Sequence, residues 1–127
     1  MAQVLMIYAS EEGQAARVVG RIAARLRELG HGVDARPAGS VAGNTDLPAC
    51  DGIIVGASVH YGSHPRALAG LLRAHLPGLR SRPSAFFSVS LSAGGPVPRA
   101  EDARRYVEDF LGETGWTPDE QARFAGA

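Results

Sequence analysis

The chain has 127 residues, 45% of them hydrophobic, which is enough for one domain over residues 1–127 with a core of its own. Its 13 basic and 13 acidic residues cancel to a formal charge of +0, which argues against electrostatic capture of nucleic acid or of an anionic membrane. Every basic residue is arginine, and the lack of lysine excludes Schiff-base chemistry and a phosphate-loop lysine.

The cysteine content and the apolar runs bear on where the protein works. A single cysteine, Cys50, cannot form an intrachain disulfide and favours a reducing compartment. No apolar run approaches the roughly 20 residues of a membrane span. Residues 1–4 lack the charged region and cleavage site of a signal peptide. We therefore expect a cytoplasmic protein without an integral membrane segment.

The first predicted elements are a strand, a helix and a second strand. Residues 4–8 form a continuous apolar run, which is typical of a strand buried on both faces, as in a parallel sheet. Residues 33–36, which alternate weakly and are ended by Pro37, indicate an edge strand. Between them a helix closed by Gly30 is predicted, because apolar side chains recur at spacings of four and three: Val18, Ile22, Leu26 and Leu29.

The same alternation of strands and helices continues along the chain. Residues 37–48 indicate a loop, and the later segments predict strands at 52–56 and 84–90, helices at 65–76 and 101–113, and the start of a last strand at 121–125. Such an alternation builds right-handed βαβ units and a parallel sheet. Because the second strand is edge-like, the predicted strand order is 2-1-3-4-5. The fold class is therefore α/β, with a ligand crevice at the carboxyl ends of the strands.

The first loop at that crevice contains Ser10, Glu11, Glu12, Gly13, Gln14 and Ala15. It leads into the N-terminus of a helix, where backbone N–H groups and the helix dipole favour an anion such as a phosphate. Gly13 allows the backbone to come close to such a group, and Ser10 adds a hydroxyl donor. The alternative is a plain helix cap, with Ser10 as the N-cap and the two acids beside the positive end of the dipole.

Two further loops offer contacts to a flat ring. The second carries Ser58, His60, Tyr61 and Gly62, and a planar ligand can stack on either aromatic ring unless the rings only cover the end of the sheet. The third is made of small residues whose backbone amides can approach a ligand, although by itself it is an ordinary glycine-rich turn. Its members are Ser90, Leu91, Ser92, Ala93 and Gly94.

Other chemistries find less support in these loops. Ser58 and His60 lack the second glycine of a hydrolase nucleophile elbow. His60 and His64 have the spacing of metal ligands, but Pro65 follows and no third ligand is evident, so we expect no metal site. No catalytic side chain is assigned, since His60 is the one titratable candidate beside a ring.

Five segments of the chain share one pattern of order and spacing: Gly13-Gln14, residues 55–62, residues 83–91, residues 116–118 and residues 124–127. Together they resemble the menaquinone-dependent protoporphyrinogen dehydrogenase family of flavodoxin-like proteins, also called flavodoxin-type protoporphyrinogen oxidases. The resemblance implies a flavodoxin-like three-layer sandwich with FMN bound without covalent linkage by the three loops. It also implies electron transfer in heme biosynthesis, from a porphyrinogen to a quinone, another small-molecule acceptor or a protein partner.

The chain departs from the family pattern in two respects. The family's phosphate loop usually carries hydroxyl residues where this chain has Ala9 and Ala15, which predicts weaker FMN binding. The alternative function is therefore a flavin-free scaffold or interaction module. The sequence given also ends as the fifth strand begins, so we expect a short last strand and no final helix. The sheet face left open would then expose apolar surface, so we expect either a homo-oligomer formed through that face or a fragment of a longer gene product.

Overall fold

A computed structural model describes residues 2–9, 13–41, 47–58, 66–90 and 97–125, without the side chains of residues 97–103 and 125. These residues form five strands and four helices, with a 3-10 turn at Ala38–Ser40 after the second strand. In chain order they are β1 (Gln3–Ala9), α1 (Gln14–Glu28), β2 (Gly32–Pro37), β3 (Gly52–Ser58), α2 (Arg66–Ala74), α3 (Leu76–Arg80), β4 (Ser84–Ser90), α4 (Val97–Thr114) and β5 (Glu120–Ala125).

The strands form one sheet of order β2-β1-β3-β4-β5, and all four neighbouring pairs are parallel. This confirms the predicted order. The register brings the strand ends level, because Ala9 lies beside Ala57 and Ser58 lies beside Val89. The carboxyl ends of β1, β3 and β4 therefore finish at one edge of the sheet, where the loops that follow them begin.

Each face of the sheet has its own hydrophobic core, which explains why the central strands are apolar without alternation. On the face covered by α2 and α4, Phe86 stacks on Phe110 at 5.2 Å between ring centroids and meets Trp116 edge-on at 6.0 Å. On the face covered by α1, Met6 and Phe87 belong to the buried cluster. Successive residues of a strand therefore face opposite cores: Met6 and Phe87 face α1, whereas Phe86 faces α2 and α4.

The side chains that helix α1 buries most deeply are smaller than those of the apolar stripe that the sequence predicts. Its buried residues are Ala15, Val19 and Ala23. The predicted stripe lies to one side of this contact: Val18, Ile22 and Leu26 are half-buried, and Leu29 is 57% exposed. Val18 and Ile22 pack at the margin of this core, and Leu26 borders an open part of the same face.

That open part is an apolar depression of about 240 Å³ along the amino-terminal ends of the strands. Leu26, Ile54 and Ala85 contribute to its walls. Phe124 of β5 is 38% exposed, and its ring meets the ring of Phe87 edge-on at 5.8 Å. The expected exposure of apolar surface is therefore present on this face. Strand β5 itself has six residues, against seven in β1, β3 and β4.

Two helix boundaries differ from the predicted ones. The helix predicted over 65–76 ends at Ala74, and a short helix α3 follows with Pro77 in its first turn, a position where proline needs no partner for its nitrogen. Helix α4 starts at Val97, four residues before the predicted start. Pro98 does not prevent this, because proline is tolerated in the first turn of a helix.

Candidate functional site

The described ends of the three predicted ligand loops lie at one edge of the sheet. Strand β1 ends at Ala9 and leads towards α1, β3 ends at Ser58, and β4 ends at Ser90. The structure thus brings together five of the predicted FMN contacts at or beside this edge, namely Gly13, Gln14, Ala15, Ser58 and Ser90. The crevice of a parallel α/β sheet lies at this position.

Helix α1 begins at a glycine, which has no side chain to cap the helix. This N-cap, Gly13, is in the left-handed conformation with φ 80° and ψ −1°, and it makes no side-chain cap hydrogen bond among the described residues. The N-cap position is thus Gly13, and Ser10 lies outside the described residues, so its predicted role stays a prediction. No acidic residue stands in the first turn of α1. The positive end of the helix dipole and the backbone N–H groups of that turn are consequently well suited to an anion.

Gly13 is needed for its backbone conformation and not for packing. A left-handed φ of 80° disfavours any residue with a Cβ. A Cβ built on Gly13 meets no atom of the described residues within 4 Å, so none of them fills the space beside the start of the helix. A phosphate could approach the backbone there without displacing any of their atoms.

Buried serines mark the carboxyl end of the sheet. Ser58, Ser88 and Ser90 are 6%, 2% and 5% exposed. Among the residues that the structure describes, the Oγ atom of Ser90 is buried and has no hydrogen-bond partner. A buried hydroxyl without a partner costs about 1–3 kcal/mol, so this atom is suited to a hydrogen bond with a bound ligand. The sequence placed Ser90 in the site only as part of a small-residue loop.

The two alanines that depart from the family pattern are both packed. Ala15 is fully buried in the cluster between α1 and the sheet. Ala9 is half-buried and packs against the core on the opposite face. The donors left for a phosphate are therefore the backbone N–H groups at the start of α1, together with the predicted hydroxyl of Ser10. These residues fit a flat, phosphorylated cofactor, with fewer side-chain donors than the family pattern has.

A glycine in β3 has a structural role at this end of the sheet. A Cβ on Gly56 would overlap the ring of Phe87, which lies across the strand. The glycine that precedes loop two therefore makes room for a core aromatic ring, and the need for it does not come from a ligand.

The remaining predicted contacts lie outside the described residues and stay predictions: Ser10, Glu11, Glu12, His60, Tyr61, Gly62, Leu91, Ser92, Ala93 and Gly94. Among the described residues, no three His, Cys, Asp or Glu side chains form a group that could hold a metal ion. None of the helices in the described part of the chain is long and apolar enough to span a membrane.

Comparison with known proteins agrees with this fold. The Flavodoxin domain family model matches residues 5–127. The protoporphyrinogen IX dehydrogenase [quinone] of Escherichia coli (strain K12) is 31% identical over 125 residues, which are 98% of this chain and 68% of that protein. Flavodoxin 1 from Bacillus cereus superimposes with a TM-score of 0.67 at 23% identity, over 98% of this chain and 85% of that one.

A mutant flavodoxin from Fusobacterium nucleatum, bound to flavin mononucleotide, has the same fold, with a TM-score of 0.57 at 14% identity over 95% of this chain and 76% of its own. The family match and the E. coli relative support the predicted flavodoxin-like redox function, with FMN as the cofactor expected for the family. The chain therefore belongs to the flavodoxin family.

Proposed function

We propose that this chain binds FMN at the carboxyl edge of β1, β3 and β4 and passes electrons from an organic donor to a quinone. The observation that carries the proposal is the start of α1 at a left-handed Gly13, at the same edge as the buried hydroxyl of Ser90; among the described residues no side chain caps the helix and no group pairs with that hydroxyl. FMN would supply the redox chemistry by accepting two electrons from the donor and releasing them to the acceptor.

Because the three loops begin at one edge of the sheet, we propose that each of them contacts a different part of FMN. The backbone of Gly13, Gln14 and Ala15 and the hydroxyl of Ser10 hold the phosphate, while Glu11 and Glu12 border it. His60 and Tyr61 flank the ring, between Ser58 and Gly62. The amides of residues 91–94 and the hydroxyl of Ser90 meet the ring edge.

The proposed substrate class comes from the E. coli relative, whose name specifies protoporphyrinogen IX and a quinone. This chain spans 68% of that protein's length. We propose a porphyrinogen as the electron donor and a quinone as the acceptor. The single, free Cys50 is consistent with a reducing compartment, and we propose the cytoplasm.

A flavin-free scaffold is the second candidate, and the observation that favours it is the packing of Ala9 and Ala15. The methyl group of Ala15 is buried in one core and that of Ala9 is half-buried against the other, so neither position supplies a hydroxyl donor for a phosphate. Each hydrogen bond to a charged group contributes about 1.5–3 kcal/mol, so their loss weakens phosphate binding substantially.

One experiment separates the two candidates. The protein is mixed with FMN and desalted, and its visible spectrum and flavin fluorescence are recorded. Retained flavin with quenched fluorescence supports the redox function, whereas a colourless protein supports the scaffold.

Gly13→Ala is expected to release FMN, because it strains the start of α1 and places a methyl group beside the backbone that is proposed to hold the phosphate. Gly39→Ala is the matched control, since its Cβ also meets nothing within 4 Å and its φ is ordinary.

We also propose that two copies associate through the open face beside α1. Leu29 and Phe124 are the exposed large hydrophobic residues of the described chain, and Phe124 lies on this face. The acids Asp119 and Glu120 line the depression, and α1 exposes Arg21, so opposite charges surround the apolar surface. Light scattering should give a dimer that Phe124→Ser converts to a monomer. A wild-type monomer at all concentrations would contradict this.

A further inference from the structure

A groove of about 300 Å³ runs between helix α4 and the outer strand β5, outside the three loops already described. Arg104, Val107 and Glu108 line it from the helix, and Gln121, Ala122 and Arg123 line it from the strand. Val107 is 3% exposed and closes the groove towards the core. The groove therefore has an apolar floor, with one arginine on each side of it.

The register of the sheet fixes the face on which this groove lies. Gln121 pairs with Phe86 and Arg123 pairs with Ser88, and paired residues in a parallel sheet share a face. Phe86 belongs to the core under α4. The side chains of Gln121 and Arg123 consequently lie on the α4 side of the sheet, opposite the proposed dimer surface.

The two arginines of the groove are available to a ligand. Both are exposed, and neither takes part in a hydrogen bond or ion pair among the described residues. Other arginines are engaged: Arg73 donates to the backbone oxygen of Glu113 at 2.9 Å, and Arg80 donates to that of Gly115 at 3.1 Å. Arginine binds a carboxylate in a planar, two-pronged geometry, so the pair suits a ligand with two carboxylates.

The two arginines stand near those ends of α4 and β5 that lie at the proposed flavin edge of the sheet. Arg123 precedes the end of β5 by two residues, about 7 Å along a strand. Arg104 is seven residues into α4, about 10 Å along a helix from the residue that follows the third loop. Glu108 lies one helical turn further from that edge. A dianionic ligand would therefore meet the arginines first and the repelling carboxylate only beyond them.

We infer that Arg104 and Arg123 bind the two carboxylates of the macrocyclic substrate while its flat ring lies over the flavin edge. Protoporphyrinogen, named in the E. coli relative, carries two carboxylates on flexible two-carbon arms along one side of its ring, which matches two arginines flanking a narrow groove. The inference rests on the proposed function for the place of the ring. The two arginines act in binding and orientation, and neither takes part in electron transfer.

The test uses protoporphyrin IX, the air-stable oxidised form, titrated into the FMN-treated protein in a mild detergent and followed by porphyrin fluorescence. Its dimethyl ester, which lacks both charges, is titrated in the same way. Arg104→Gln and Arg123→Gln are each expected to weaken binding of the diacid about fivefold, the size of an exposed ion pair, and the double variant about 25-fold. Neither variant should change the affinity for the ester.

Arg25→Gln serves as the matched control, because Arg25 is exposed on α1, on the opposite face of the sheet, where it pairs with the exposed Glu28. It should bind the diacid as the wild type does, and circular dichroism melts should show all variants equally folded. Equal affinity of the wild type for diacid and ester would overturn the inference. So would unchanged diacid binding in the double variant, or no porphyrin binding at all.

Flavin retention, measured on the same samples, separates this inference from the proposed function. If the protein retains FMN but its porphyrin affinity is the same with and without the two arginines, the inference is wrong and the proposed FMN site is unaffected. A colourless protein that binds the diacid through Arg104 and Arg123 supports the groove and contradicts the redox function.

Discussion

Replacing Ser90 by alanine should stabilise the flavin-free protein and weaken FMN binding at the same time. The Oγ atom of Ser90 is buried without a hydrogen-bond partner among the described residues. Removing such a group relieves a penalty of about 1–3 kcal/mol. For a domain of this size, 1 kcal/mol corresponds to roughly 4 °C in Tm. If the hydroxyl bonds to FMN, its loss should weaken binding by about 1 kcal/mol, or about fivefold.

Ser84 on the same strand provides the matched control. It is 7% exposed, and its Oγ atom accepts a hydrogen bond from Nε1 of the buried Trp116 at 3.2 Å. Ser84→Ala therefore leaves a buried donor unpaired and should lower Tm, again by roughly 4 °C for each kcal/mol lost. Ser84 lies at the start of β4, at the far end of the strand from the proposed site, so FMN affinity should not change.

The assay pairs thermal unfolding of the flavin-free protein with fluorescence titration of FMN, for the wild type and both variants. The expected pattern is a higher Tm with weaker FMN binding for Ser90→Ala, and a lower Tm with unchanged FMN binding for Ser84→Ala. If Ser90→Ala lowers Tm, or leaves FMN affinity unaltered, then the hydroxyl of Ser90 does not form a hydrogen bond with the cofactor.

Two further substitutions test the account of the fold by urea unfolding. Gly56→Ala should destabilise by about 1–3 kcal/mol, because the new methyl group overlaps the ring of Phe87, whereas Gly112→Ala in the open interior of α4 should be neutral or stabilising. Equal effects would refute the close packing of that ring. Asp119→Ala should cost about 1–2 kcal/mol, since its carboxylate accepts the first backbone N–H of β4 at 2.8 Å. Replacing the exposed Asp109 by alanine should cost much less. An equal loss of unfolding free energy in the two variants would show that the hydrogen bond from Ser84 to Asp119 does not stabilise the fold.

The sheet could be predicted from sequence because its central strands are continuous apolar runs. Residues 84–90 were predicted as a strand with the same limits that β4 has, and the edge-like 33–36 fixed the order. The orientation of α1 could not be predicted, because periodicity identifies the largest apolar side chains and the contact is made by Ala15 and Ala23. Closeness of approach depends on the whole sheet beneath the helix, which a local pattern does not contain.

The site was predictable to the extent that it follows from topology. Loops after neighbouring parallel strands must share an edge, so Gly13, Ser58 and Ser90 could be grouped before any coordinates. The missing partner of the Ser90 hydroxyl could not be anticipated, because it depends on which side chains surround the end of β4. That Arg104 and Arg123 line one groove could not be predicted either, because they lie on different elements and no sequence pattern links two exposed arginines.

The central claim is that the start of α1 holds a phosphate, and comparing FMN with riboflavin tests it most directly. Riboflavin has the same ring and side chain without the phosphate. Two or more charged hydrogen bonds at about 1.5–3 kcal/mol each predict that FMN binds at least about a hundredfold more tightly in calorimetric titration. Equal affinity for the two flavins, or binding of neither, would contradict the account.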